Sequence, residues 1–237
     1  MAINLMLSSH TFLIPLILGI LPSLLWLIFW LREDKKNPEP RRLILKAFIG
    51  GMFAVIFVIP IQKLGFYYFP LGLISFSIVS ITEELFKFLG AYLTALSDKE
   101  NNEPLDPVIY MITAALGFAA VENTLFLFQE VKLGAEIYSL VISGNLRFIG
   151  ATLLHVISSA TVGVFMSISF YKKERVKKNF MLLGLIIAIV LHTVFNLLII
   201  NSINTSIFVT FTFVWIGVVI LLLLLEKIKT IRPLNKK

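Results

Sequence analysis

Long apolar segments dominate this chain, and short polar connections separate them. Dividing the sequence where charged residues, Pro, Asn or Gly accumulate leaves seven such segments, at 11–31, 43–61, 71–97, 107–128, 138–171, 180–200 and 207–225. Each is about as long as the roughly 20 residues that cross a bilayer as a helix. The pattern therefore predicts an all-α polytopic membrane protein, a bundle of about seven transmembrane helices forming one domain over 1–237. The fifth segment is long enough to begin as an interfacial turn around Ser143-Gly144-Asn145.

The composition agrees with a membrane protein and excludes several other classes. Hydrophobic residues make up 58% of the chain and charged residues only 15%, which is far from the balance of a soluble globule. The net charge of +7 comes from short clusters in the connections, so we expect contact with anionic lipid and not with nucleic acid. The absence of cysteine excludes disulfides, thiolate nucleophiles and sulfur-ligated metals.

Lys and Arg are distributed unevenly between the two sets of connections. Sixteen lie in the connections after the first, third and fifth segments and in the C-terminal tail, whereas only Lys63 and Lys132 lie on the other side. Positive residues accumulate on the cytoplasmic side of membrane proteins. We therefore predict that the N-terminus is outside, that the C-terminus is cytoplasmic, and that the protein resides in the cell membrane, the cytoplasmic membrane of a prokaryote.

Ionisable and amide side chains interrupt four of the apolar segments. They are Glu83, Glu84 and Lys87, then Glu122 and Asn123, then Arg147 and His155, and finally His192 and Asn196. A charge at the bilayer centre costs about 2.5–3.5 kcal/mol on insertion scales, so these residues need a functional explanation. At a rise of 1.5 Å per residue, Glu84, Glu122, His155 and His192 all lie about 18–24 Å from the cytoplasmic ends of their helices. This common depth predicts one shared polar cavity, somewhat nearer the outside.

The spacing within each helix supports this convergence. Lys87 is one turn from both Glu83 and Glu84, so its ammonium can offset one carboxylate while the other remains available. Phe118 precedes Glu122 by one turn and can shield that carboxylate from water.

Two further residues have simpler interpretations. Asn196 follows His192 by one turn. Its amide either takes part in the site or forms a hydrogen bond that joins two helices. Arg147 lies about 36 Å from the cytoplasmic end of its segment, and we expect it to extend to the outer interface.

Several hydrolytic chemistries are excluded by the residues present. Neither His155 nor His192 is followed by Glu in an H-E-x-x-H motif, and no Gly-x-Ser nucleophile turn of the hydrolase type occurs. The three aspartates, Asp34, Asp98 and Asp106, lie in the predicted cytoplasmic connections, which argues against an aspartyl dyad. The hydrolytic chemistry that remains is attack by water that Glu and His activate, with or without a metal ion.

Four short motifs in order resemble a known family. The stretch from Glu83 to Lys87 resembles an E-E-x-x-K motif, the stretch from Phe118 to Glu122 resembles F-x-x-x-E, and His155 and His192 resemble the later histidine motifs. Together they are similar to PrsW-type intramembrane proteases, a branch of the superfamily that includes the CAAX prenyl endopeptidases and bacteriocin-processing or immunity membrane proteins. Glu122, where the prenyl-endopeptidase branch has histidine, and Lys87, where it has Arg one position further on, favour the PrsW branch.

The resemblance implies a site-1 type protease that cuts a membrane-anchored, single-span protein, such as an anti-sigma factor, near its extracytoplasmic end. The catalytic core would be the helices within 71–200, and the segments 11–31, 43–61 and 207–225 would be peripheral.

Two mechanisms remain open for that site. In the first, Glu83 or Glu84 is the general base, Glu84 or Glu122 protonates the leaving amine, and the site residues His155, His192 and Asn196 hold the water or the oxyanion. In the second, Glu122, His155 and His192 bind zinc and leave a fourth position open for water. Lys87 and Phe118 support the site in both. The cofactor is undecided, although the improbable Glu83-Glu84-Lys87 cluster favours the metal-free version.

Two other classes of protein also place such residues within a membrane. A proton- or ion-coupled secondary transporter would need Glu, Lys and His at this depth, but the chain has no inverted repeat. A non-catalytic binding or immunity protein of the same fold would have no reason to bear the insertion cost of a complete two-Glu, two-His set.

Overall fold

The computed structural model describes residues 9–200 and 207–233, and the regular secondary structure in this part of the chain is helical throughout. This confirms the predicted all-α class. Parts of the topology prediction, namely residues 1–8, the connection 201–206 and the last residues 234–237, lie outside the described residues.

Eight α-helices follow one another in the described part of the chain. They are α1 (Ser9–Leu31), α2 (Arg41–Tyr68), α3 (Leu73–Ala91), α4 (Asp106–Lys132), α5 (Ile137–Ile149), α6 (Ala151–Ile168), α7 (Glu174–Ile200) and α8 (Ile207–Ile228). A 3₁₀ turn at Arg32–Asp34 follows α1, and a π-helical turn at Tyr92–Leu96 extends α3.

Six helical segments are long and apolar enough to cross a membrane. They are Leu13–Asp34, Arg41–Tyr68, Asp106–Lys132, Ile137–Ile168, Glu174–Ile200 and Phe208–Ile228. Helix α3 would be the seventh span, but Glu83, Glu84 and Lys87 lie inside its 19-residue apolar stretch, and it is not among these six. Large apolar side chains such as Ile56, Leu93 and Leu223 are exposed on the outer faces of the bundle, where lipid would contact them. The chain is therefore a multi-pass membrane protein.

The predicted fifth segment is two helices instead of one. Residues 143–145 lie inside α5, so the expected interfacial turn at that point is wrong, and the break occurs at Gly150. A Cβ atom on Gly150 would lie 2.9 Å from the carbonyl oxygen of Leu146 and 2.9 Å from a ring carbon of Phe211, so a larger side chain would not fit there. Because α5 has only 13 residues, it is about 20 Å long and too short to span the bilayer by itself.

Helix α4 forms the centre of the bundle and packs against α1, α2 and α6. Glycines allow the close approach of these neighbours. A Cβ on Gly51 of α2 would lie 1.8 Å from the carbonyl oxygen of Ala114, and one on Gly163 of α6 would lie 2.6 Å from Cα of Val108. Side chains on the inner face of α4, including Glu122, are consequently held by backbones that cannot move apart without loss of packing.

Several connections meet at one end of the bundle, which we call the basic end. Lys229, just after α8, pairs with Glu33 at 2.7 Å, and Asn37 donates to Glu103 of the α3–α4 connection at 2.5 Å. These are the connections that the sequence groups as rich in Lys and Arg. Their proximity agrees with the predicted grouping, whereas the side of the membrane they face remains a prediction.

Reporter fusions test that orientation. We expect a fusion after Lys237 to report the cytoplasm and one within 201–206 to report the outside, because the asymmetry in Lys and Arg is large. Alkaline phosphatase and green fluorescent protein fusions at both sites measure this. The same compartment for both sites would contradict the topology.

The basic end also contains buried carboxyl groups that the sequence placed in exposed connections. Asp34 and Asp106 are almost fully buried, and Asp106 is the first residue of α4. Glu39 accepts a hydrogen bond from the Tyr110 hydroxyl and lies close to Asp106. Burial, reinforced by the contact with Asp106, raises the pKa of Glu39 to about 8.

This shift makes the stability of the fold depend on pH. Since the folded protein holds a proton that the unfolded chain releases at lower pH, the stability contributed by neutral Glu39 is lost as the pH rises through about 8. We expect Glu39→Gln, which stays neutral, to unfold at a higher temperature than the wild type at pH 9 but not at pH 4. Thermal unfolding in detergent measures this, and equal differences at both pH values would contradict the assignment.

Candidate active site

A cavity of about 600 Å³, mostly apolar but containing several ionisable side chains, lies among α2, α3, α4, α5, α6 and α7, and Phe211 of α8 also lines it. Its lining includes Gln62, Glu83, Glu122, His155, His192 and Asn196. Other lining residues, such as Glu130 and Ser143 near the α4–α5 connection and Ile199 near the end of α7, belong to the end of the bundle opposite the basic end. The cavity therefore brings together Glu122, His155 and His192 of the predicted layer, with Glu83 in place of Glu84, and extends toward the predicted outer side.

Glu84 and Lys87 form a fully buried ion pair beside the cavity. Lys87 Nζ donates to Glu84 Oε1 at 2.5 Å, and both side chains are completely inaccessible. The Ser158 hydroxyl, the Ser159 hydroxyl and His192 Nδ1 donate to the same carboxylate at 2.8, 2.9 and 2.8 Å. Four donors compensate this buried charge, and Glu84 is not among the residues that line the cavity. Glu84 thus orients its neighbours and has no open position for substrate.

Glu83 has the free carboxylate oxygen that Glu84 lacks. Its Oε1 accepts a hydrogen bond from Gln62 Nε2 at 2.7 Å. Its Oε2 is buried and has no hydrogen-bond partner among the described residues, at 3.8 Å from His155 Nδ1 and 3.6 Å from His192 Nε2. As the sequence predicted, Lys87 engages one glutamate of the adjacent pair and leaves the other available.

Each of the two imidazoles contacts a carboxylate on the side that faces away from Glu83. That contact fixes which ring nitrogen donates a hydrogen bond and which has the lone pair. A carboxylate only accepts, so His192 donates from Nδ1 to Glu84, and neutral His192 then has its lone pair on Nε2. In the same way His155 donates from Nε2 to Glu122 at 2.8 Å, which leaves the lone pair on Nδ1. Both lone pairs belong to the nitrogens nearest Glu83 Oε2, and the two ring centres are 5.2 Å apart.

Arg147 differs from its prediction. Its Nη2 lies 3.2 Å from Glu122 Oε2, and its Nε donates to Asn123 Oδ1 at 2.6 Å. The expected extension to the outer interface is wrong, because Arg147 lies in the last turn of α5, where Gly150 ends the helix beside the cavity. Arg147 compensates the second carboxylate of the site.

Asn196 and Phe118 occupy the margins of the site. Asn196 lines the cavity, and its amide donates to the Ser80 hydroxyl at 3.5 Å and not to His192. The Phe118 ring is buried 5.4 Å from the His155 ring and 5.1 Å from Lys87 Nζ. Phe118 therefore shields the ion pair and the imidazole, whereas the sequence related it to Glu122.

Sequence reasoning missed four polar partners in the site. Gln62, Ser158 and Ser159 hold the two adjacent glutamates, and Arg147 holds Glu122. Ser158 and Ser159 give no distinctive signal in the sequence, since small residues are common at membrane helix contacts. Gln62 gives no usable signal either, because it follows the predicted segment 43–61 and stands next to Lys63, where an amide is ordinary in a connection.

The site also has the features of a metal centre. One ligand atom each from Glu83, His155 and His192 lies within 4.8 Å of the others, so this trio differs from the predicted one by having Glu83 in place of Glu122. Each histidine binds a carboxylate through its other nitrogen, as metal-ligating histidines do. Lys87 Nζ, at 3.1 Å, competes for His155 Nδ1. The unpartnered Glu83 oxygen and the two oriented imidazoles fit an ion such as zinc.

A membrane-embedded helical bundle with Glu and His side chains around an internal cavity is typical of one class of protein, the intramembrane hydrolases. Residues 39–225 match the profile described as PrsW family intramembrane metalloprotease, and the chain belongs to this family. This confirms the resemblance in the four motifs.

Curated relatives agree with that family. The chain is similar to Protease PrsW of Clostridioides difficile, with 29% identity over 76% of each chain, and to Protease PrsW of Geobacillus kaustophilus, with 29% identity over 68% of each. It is also similar to Protease PrsW of Bacillus subtilis, with 22% identity over 73% of this chain and 77% of that one. No solved structure gives a significant match.

Proposed function

We propose that this protein is an intramembrane endopeptidase of the cell membrane that hydrolyses a peptide bond in a single-span membrane protein, such as an anti-sigma factor. The observation that carries the proposal is the free Glu83 Oε2 facing two oriented imidazoles inside a cavity. A buried carboxylate oxygen without a hydrogen-bond partner is costly for a purely structural role. It is useful where water must be activated.

The position of the cavity supports cleavage near the extracytoplasmic end of the substrate. Its lining extends from Glu83 to residues beside the α4–α5 connection and the end of α7, away from the basic end. If the basic end is cytoplasmic, as the distribution of Lys and Arg predicts, a substrate bond near the outer interface would reach Glu83 with little unwinding.

A zinc ion would be held by Glu83, His155 and His192, and it would supply Lewis-acid polarisation of the scissile carbonyl and activation of water. Net charge favours this ligand set. Three carboxylates of the site, those of Glu83, Glu84 and Glu122, face only two cations, Lys87 and Arg147. The surplus negative charge requires either a proton or a metal ion.

The protein's own groups would direct the proton. Glu122 lines the cavity, and about a third of its side chain is accessible, so it can accept a proton from the attacking water. As the carbonyl carbon–nitrogen bond breaks, the same carboxyl group would deliver that proton to the leaving amine. Arg147 and His155 hold Glu122 in place during both transfers.

Cleavage by the purified protein tests this function. Incubation in liposomes with a panel of single-span substrates should yield two fragments cut near the extracytoplasmic end, and Glu83→Gln should abolish them. A protein that cuts none of the substrates, and whose Glu83→Gln and Glu122→Gln variants instead alter solute or proton flux, would be a transporter. Intact binding of a substrate without cleavage or flux would indicate a non-catalytic protein of the same fold.

A further inference from the structure

An apolar groove between α6 and α8 adjoins the catalytic cavity at Leu154 but contains none of the ionisable site residues. Its volume is about 310 Å³, and its lining includes Leu154, Ile157, Val164, Ile220 and Leu224. Thr161 also lines it, but its hydroxyl already donates to the Ile157 carbonyl. A second groove of about 330 Å³ shares Val164 and Leu224 with the first, so together they form one path along α8 toward the basic end.

Cations surround the end of this path. Lys172, Lys227 and Arg232 line the second groove together with Tyr171. No described carboxylate forms an ion pair with any of these three cations; the guanidinium of Arg232 donates only to backbone carbonyls, at 3.1 and 3.2 Å.

Two neighbouring cations, by contrast, have ion-pair partners. Lys229 pairs with Glu33 at 2.7 Å and with Glu226 at 2.6 Å, and Lys177 pairs with Glu174 at 2.9 Å. Lys173, Arg175 and Lys178 also have no ion-pair partner among the described residues, but they do not line the groove. An apolar channel that ends in three uncompensated positive charges is complementary to an amphiphile with an anionic head.

We propose that this groove is a binding site for one anionic phospholipid, with an acyl chain between α6 and α8 and the phosphate on Lys172, Lys227 and Arg232. Anionic lipids attract basic residues at the membrane surface, and Tyr171 suits the same interfacial depth. The charge at the mouth favours a lipid over a substrate helix, for which the apolar groove alone would suffice. Leu154 lines both this groove and the catalytic cavity, so the acyl chain would contact the residue that precedes His155.

Lipid binding to the intact protein tests this site independently of proteolysis. Native mass spectrometry of the full chain should show retention of phosphatidylglycerol in preference to phosphatidylcholine. The triple variant Lys172→Gln, Lys227→Gln, Arg232→Gln should lower phosphatidylglycerol affinity by about 10- to 100-fold. The matched control is Lys173→Gln, Arg175→Gln, Lys178→Gln, which removes the same charge from the same end without touching the groove, and it should bind as the wild type does.

A second variant tests the acyl chain. Ile220→Trp narrows the groove but leaves the three cations, so it should also weaken binding, whereas glycerol phosphate should not displace the lipid. Equal loss in both triple variants, equal retention of the two lipids, or displacement by glycerol phosphate would overturn the proposal. So would Ile220→Trp weakening the association of a single-span peptide while lipid binding stays unchanged, which would assign the groove to a substrate helix.

Discussion

Glu83→Gln is expected to lower the rate of substrate cleavage by about 10²–10⁴-fold, because it removes a zinc ligand or, in a metal-free reaction, the general base. The amide is almost the same size as the carboxylate and can keep the hydrogen bond from Gln62 to its oxygen. Its second position, however, becomes an NH₂ group that neither accepts a proton from water nor binds a cation. Cleavage of a fluorescent single-span substrate under single-turnover conditions measures the effect.

Glu130→Gln is a suitable control for this variant. Glu130 is another carboxylate that lines the cavity. Its Oε1 accepts from the Ser143 hydroxyl at 2.9 Å and its Oε2 has no hydrogen-bond partner either, but Glu130 forms no ion pair with a histidine among the described residues. We expect the cleavage rate of Glu130→Gln to fall by less than about ten-fold, because the change lies away from the reacting atoms. Wild-type cleavage by Glu83→Gln, with normal thermal unfolding of both variants, would show that Glu83 takes no part in the reaction.

Glu84→Gln should mainly lower the stability of the fold. Comparing it with Glu83→Gln therefore distinguishes the roles of the two adjacent glutamates. Removing the Glu84 charge leaves Lys87 buried without its ion-pair partner, and breaking such pairs costs about 3–5 kcal/mol. This variant should therefore unfold at a lower temperature, whereas Glu83→Gln should not.

The amino-acid sequence predicts the helical class and the meeting of four polar helices because both follow from local rules. Helix length follows from the extent of each apolar stretch, and a rise of 1.5 Å per residue places Glu84, Glu122 and His155 at one depth. A buried charge has few ways to be compensated in a membrane, so groups at one depth converge.

Other features of the site depend on tertiary contacts that periodicity does not encode. Lys87 is one turn from both Glu83 and Glu84, and it pairs with Glu84, which donors on other helices, the Ser158 and Ser159 hydroxyls and His192 Nδ1, also hold. The inward turn of Arg147 depends in the same way on the break at Gly150, which the apolar pattern runs across without interruption.

The second prediction with a large expected effect on activity concerns the metal ion. The sequence favoured a metal-free reaction, but the arrangement of the histidines changes that balance. His192 and His155 each have one nitrogen bound by a carboxylate and the other near the free oxygen of Glu83. In a metal-free site the free oxygen of Glu83 would act as the general base and one oriented histidine would suffice as an oxyanion donor, which leaves the second histidine without a role.

We therefore expect purified protein to contain about one zinc ion per chain, and a strong chelator to remove both the ion and the activity until zinc is restored. His155→Ala and His192→Ala should lose zinc and cleavage together, because each removes one of three ligands. Asn196→Ala should keep its zinc, since Asn196 lines the same cavity but is bonded to Ser80. Metal content by mass spectrometry, measured beside cleavage, gives both readouts, and a zinc-saturated chelator controls for other effects of the compound. Full activity in metal-depleted protein, with the histidine variants reduced only about 10²–10³-fold, would instead assign water activation to Glu83 alone.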